Sequence, residues 1–180
     1  TNIGTTFVCK KDGLANNKVG DLVAQGTDGL EIVTSFCREN DIEIFWAFRM
    51  NDIHDGEAKD PGPIAHEGTA RHMFPPFKED HPELLMGTLD NKPKIPFWTS
   101  VDYSHAEIRD MSFRLIEEVC ENYDVDGIDL DFNRMPILFK SQETDQHRDT
   151  LTAWLAEVRA AVDAAAERRE HPICLEVRVP

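Results

Sequence analysis

The run Gly127 to Phe132, G-I-D-L-D-F, constrains the fold most, because an acid stands at every second place between apolar residues. That alternation is the period of a β-strand, with Asp129 and Asp131 on one face and Ile128, Leu130 and Phe132 on the other. Carboxylates projecting from a buried strand cost free energy unless they are paired, hydrogen-bonded or put to chemical use. Residues two apart on a strand are separated by roughly 6.6 Å and point the same way. Asp129 is therefore expected one layer deeper, and Asp131 on the solvent side.

Around this run the chain alternates between two periodicities. Thr5 to Cys9 reads as a strand ending in the turn-rich K-K-D-G, and residues 10 to 27 read as a loop. Asp28 is placed to cap a helix of about three turns that ends near Asn40. Asp41 to Met50 is the second strand, with Ile44, Trp46 and Phe48 on one face and Phe45, Ala47 and Arg49 on the other. Residues 51 to 96 hold seven of the ten prolines and four of the seven histidines without a sustained period, which predicts a long, ordered, functional loop. Ile95 to Ser100 reads as a short strand or an extended loop. Ser104 and Glu107 form a capping box for a helix whose stripe is Ile108, Met111, Leu115, Ile116 and Val119. A last helix is expected from about Asp145 to Arg169, stopped by His171-Pro172, and Ile173 to Val179 is the final strand, with Glu176 and Arg178 on one face.

Strand and helix in alternation are the signature of a parallel sheet, either open and doubly wound or an arc of a barrel. Arg49, Asp131 and Arg178 fall at strand C-terminal ends, where barrel enzymes assemble their sites. The expected fold is thus α/β, a parallel (β/α) barrel of TIM type. A full barrel takes roughly 250 residues. With 180 residues, the chain reads as one domain holding about half of a barrel, in four or five strands, incomplete at both ends.

The net charge of −15 argues against nucleic acid and anionic membrane as partners, since both need a basic surface, and it is compatible with a carbohydrate. No apolar run approaches the roughly 20 residues that span a bilayer. Cys9, Cys37, Cys120 and Cys174 are far apart, each in an apolar segment, and read as small buried hydrophobes. Reduced thiols suit a cytoplasm and are compatible with export.

The stretch Asp102 to Pro136 contains an aspartate, a helix carrying E-x-R, then N-Y-D-V-D-G-I followed by an acid and R-x-P. In that pattern it resembles the glycosyl-hydrolase-like family ten of bacterial TIM-barrel proteins, as do F-R-M-N-D-I-H-D at Phe48 to Asp55 and the closing V-R-V-P. The resemblance, covering most of the chain from Asp28 onward, implies a glycosidase-type barrel acting on poly- or oligosaccharides. The same run is similar to the D-G-x-D-x-D-x-E signature of family-eighteen chitinases, with Asn133 in place of the glutamate. An amide cannot donate the proton that a leaving glycosidic oxygen needs.

Asp131 is the candidate nucleophile or proton carrier, and Asp129 the group that orients or tunes it. A hydrolase needs a second carboxyl group across the scissile bond. Glu176 is the leading candidate, followed by Asp52 and Asp102. Arg49 and Arg178 are placed to hold anionic groups of a glycan or, equally, to hold Asp129 and Asp131; Arg134 is a further pairing candidate. Trp98 is the candidate stacking platform for a sugar ring. Asp52, His54 and Asp55 are metal ligands by type, in a spacing that is no metal signature, and hydrogen-bonded loop roles are the commoner use. The leading expectation is a glycoside hydrolase needing no cofactor. Its alternatives are a non-catalytic carbohydrate-binding barrel, motivated by Asn133, and a metal-dependent hydrolase.

Overall fold

A computed structural model describes residues 19–53, 55, 75–88 and 98–180. The predicted strand at Thr5 to Cys9, His54, and most of the proline-rich segment lie outside the described residues. Among the described residues there are three strands, β1 (Phe45–Arg49), β2 (Gly127–Asp131) and β3 (Cys174–Arg178), all parallel and in the order β1-β2-β3. The described fold is therefore mixed α/β with a small parallel sheet.

The strands share a register that stacks their side chains in rows. Trp46, Ile128 and Leu175 form one row, and Phe48, Leu130 and Val177 the next, on the same face. Helices cover this face: α2 (Gly29–Glu39) leads into β1, α4 (Ala106–Asn122) into β2, and α5 (Arg148–Arg169) into β3. Ile108, Ile116 and Val119 from α4 meet Trp154, Val158 and Val162 from α5 over Ile128 and Leu130, while Leu30 of α2 packs at the side. β2 is buried along its whole length because it has a strand on each side.

Several boundaries differ from the sequence expectation. Part of the expected loop before Asp28 is a short helix, α1 (Val19–Ala24). Asp28 does cap α2, its carboxylate accepting from the N–H groups of Leu30 and Glu31. Ser104, by contrast, is not the cap of α4. Its N–H is taken by Asp102 Oδ1 at 2.9 Å in a turn, and the chain becomes helical only at Ala106. Arg109 closes that turn, donating to the carbonyls of Tyr103 and Ser104. A 3₁₀ turn, Thr144–His147, delays α5 to Arg148. The described part of Ile95 to Ser100, expected as a short strand or an extended loop, is turn and bend, and an antiparallel bridge joins Val101 and Leu85 just beyond it. From the proline-rich segment, α3 (Pro76–Asp80) and a 3₁₀ turn, Pro82–Leu84, are described.

Arg169 donates to the carbonyl of Cys120, near the C-terminus of α4, so the helix that supplies the cation is not the one whose end it satisfies. Tyr103, fully buried, donates its hydroxyl to Met50 O at 2.8 Å and lies 3.0 Å from Ser112 Oγ, with its ring edge-on to Trp154. Burial pushes its phenol well above the usual range, and the Ser112 contact offsets this in part. Tyr103 thereby fixes the chain leaving β1 to the helical layer.

Candidate site on the acidic face of the sheet

The face away from the helices carries the polar residues. Its rows are Phe45, Gly127 and Cys174, then Ala47, Asp129 and Glu176, then Arg49, Asp131 and Arg178 at the C-terminal ends. The Phe45 ring lies over Gly127, on ground that a Cβ there would occupy.

Asp129 and Asp131 are 2% and 5% exposed. Burying two carboxylates this close requires a shared counter-charge. Arg178 supplies it, with Nη2 bonded to Asp129 Oδ2 and Nη1 3.5 Å from Asp131 Oδ2. The other oxygen of Asp131 is capped by the backbone, accepting from the N–H groups of Asn133 at 3.0 Å and Arg134 at 3.2 Å. The chain turns immediately after β2, and this turn fixes the carboxylate at the strand end. Asp131 is buried like Asp129, which corrects the expectation of a solvent-side acid: turn and guanidinium close over it. Asp129 Oδ1 has no hydrogen-bond partner.

Glu176 is exposed and stands in register with Asp129, and its carboxylate makes no hydrogen bond or ion pair with the described residues. Arg49, although in register with Asp131, pairs with Asp52 instead. Arg134 is exposed and reaches Asp131 only through its backbone. The structure thus gathers Asp129, Asp131, Glu176 and Arg178, with Arg49, Asp52 and Arg134 at the rim.

Asp102 and Trp98 stand apart from this cluster in the contacts they make. Asp102 is fully buried, one oxygen in the Ser104 turn and the other 3.2 Å from Lys140 Nζ, an ion pair without hydrogen-bond alignment. Trp98 is half-buried and packs against the core. Among the described residues no group of three or more His, Cys, Asp or Glu side chains is placed to hold a metal ion, and no described helix is long and apolar enough to cross a membrane.

Three polar devices were not visible in the sequence. Buried Asn51 donates to the carbonyls of Val101 and Ile137 and accepts from Val101 N–H, tying together the segments that follow β1 and β2. Lys78 of α3, also buried, bonds Asp55 at 2.7 Å and the Asp52 carbonyl at 3.2 Å. At the opposite end of the sheet Asp126 accepts from Ile44 N–H at 2.7 Å and contacts Arg38 at 2.9 Å and His171 at 3.0 Å. Each joins residues more than twenty positions apart, and no local spacing announces it.

No family model matches the sequence, and neither does any curated protein. Among solved structures the chain is similar to the galactosidase domain of an alpha-galactosidase–sucrose kinase and to the alpha-galactosidase from Lactobacillus brevis, each at 17% identity and a TM-score of 0.49, covering 84% of this chain and 18% of that one. It is also similar to a GH36 alpha-galactosidase from Geobacillus stearothermophilus in complex with raffinose, at 16% identity and a TM-score of 0.46, covering 83% of this chain and 18% of that one. The chain spans less than a fifth of the length of these structures.

Proposed function

We propose that this chain is part of a glycoside hydrolase of (β/α)-barrel type, cleaving O-glycosidic bonds of a poly- or oligosaccharide with Asp131 and Glu176. The observation that carries the reading is the pairing of a fixed, buried carboxylate at the end of the central strand with an unengaged one on the same face of the next strand. Strand spacing and rise put their Cα atoms about 8 Å apart, a span from which two carboxyl groups can bracket a scissile bond. Asp131, oriented by two N–H groups and Arg178, suits the nucleophile or the stabiliser of developing positive charge. Glu176, exposed and unpaired, suits the proton carrier.

Barrel closure is supported by the layering. Among the described residues α4 and α5 pack against one face of the sheet with Leu30 of α2 beside them, as in a barrel wall, whereas a doubly wound sheet carries helices on both faces. Sequence resemblance to glycosyl-hydrolase-like family ten points the same way.

Replacing Asp131 by Asn keeps the shape and an acceptor for the turn but removes the charge. In the full-length protein, Asp131→Asn is expected to abolish release of reducing ends from oligosaccharides while circular dichroism stays native. Undiminished turnover overturns the reading. Asn133 favours a second reading, a barrel that binds sugar without cleaving it, because this residue stands exposed where the chitinase-like signature has its acid. That reading expects saturable oligosaccharide binding with no reducing ends released over time.

A further inference from the structure

Charge on the acidic face is out of balance. Asp129, Asp131 and Glu176 project from it, and Arg178 is the cation recorded against them among the described residues. Arg49 is engaged by Asp52, and Arg134 meets Asp131 through its backbone alone. Within this acidic set, Asp129 Oδ1 is a buried acceptor without a donor. Such an atom is costly to leave without a donor. Its row neighbours are the unengaged Glu176 on one side and Ala47 on the other, whose methyl group takes little room.

A ligand completing this row has to bring hydrogen-bond donors and positive charge. Neutral and anionic sugars bring hydroxyl donors but no positive charge. We propose that the face takes a protonated primary amine, and that the substrate class is a glycan carrying free amino groups on its sugar rings. An ammonium group offers three donors and no acceptor, which complements carboxylates that only accept. The net charge of −15 draws such a polycation toward the protein. The inference rests on the carbohydrate reading above and adds the chemistry of the sugar to it.

The test is isothermal titration of the full-length protein with a glucosamine hexamer and with its fully N-acetylated counterpart, at low salt and mildly acidic pH. Acetylation removes the charge and keeps the chain length. The glucosamine hexamer is expected to bind at least about tenfold more tightly, a difference of about 1.4 kcal/mol, and to weaken as salt rises. Asp129→Asn and Glu176→Gln should each erase most of that preference, bringing affinity for the glucosamine hexamer down toward that for the acetylated one. Equal affinity for the two hexamers, tighter binding of the acetylated one, or no binding of the glucosamine hexamer overturns the inference. If either hexamer is nonetheless cleaved in an Asp131-dependent way, the hydrolase reading survives without it. Preference for the amine with no reducing ends released keeps the inference and removes the hydrolase reading.

Discussion

Arg178 is the residue on which the candidate site depends, since one guanidinium answers two buried carboxylates. Its side chain is 47% exposed, so the pair with Asp129 is neither a fully buried bridge nor a surface one. Removing it leaves Asp129 and Asp131 facing each other without a counter-ion. Arg178→Met, which keeps the aliphatic stem, is expected to lower unfolding stability by about 1–3 kcal/mol at neutral pH, measured by urea denaturation. Arg178→Lys should recover only part of this, because a single ammonium nitrogen cannot bond Asp129 while a second nitrogen stays beside Asp131. A loss below a few tenths of a kcal/mol in Arg178→Met would show that solvent already screens the two acids. The sequence placed Arg178 and both aspartates on strand faces, where period-two alternation is explicit. It left the choice between a substrate arginine and a structural one open, because that choice turns on contacts between strands 49 residues apart.

Among elements, the turn after β2 and the segment after β1 are held by one buried side chain, Asn51, which satisfies three backbone groups. Asn51→Ala is expected to cost about 2–4 kcal/mol, since it orphans buried N–H and carbonyl groups, and to speed amide hydrogen exchange at Val101. Unchanged exchange there would mean that the Val101–Leu85 bridge alone holds the segment. The elements themselves were legible wherever one face is apolar and the other polar. The strands at Phe45, Gly127 and Cys174 and the bodies of α2, α4 and α5 follow their periods closely. Their ends were less legible: Ser104 has the cap chemistry, but Asp102, two residues earlier, competes for its N–H and wins. Asn51, Lys78 and Asp126 were missed for a related reason, since a polar residue whose partners lie far along the chain looks like any solvated loop residue.

At the scale of the molecule the two ends of the sheet do different work. The C-terminal end gathers the acids and arginines of the candidate site, and the N-terminal end is fastened by Asp126. That residue accepts from Ile44 at the start of β1, contacts Arg38 of α2 and His171 ahead of β3, and bonds through its backbone to Ile44 and Cys174. Burial pushes its carboxyl up, but the Ile44 N–H, Arg38 and His171 together outweigh burial and hold it below the ordinary carboxylate range. A carboxyl depressed in the folded state contributes stability that is present above its unfolded value, about 3.9, and is lost as pH falls through the lower folded value. Asp126→Asn keeps an acceptor for Ile44 and loses the charge. It is therefore expected to be less stable than the parent by about 1–2 kcal/mol near neutrality, with the deficit shrinking as pH drops below about 4 and closing once the parent carboxyl is protonated. Urea midpoints of parent and variant across that range measure the difference directly. A deficit that stays constant into acid would assign Asp126 a packing role and leave the junction of the three strands to backbone pairing alone. A deficit that closes shows the sheet held at its N-terminal end by charge.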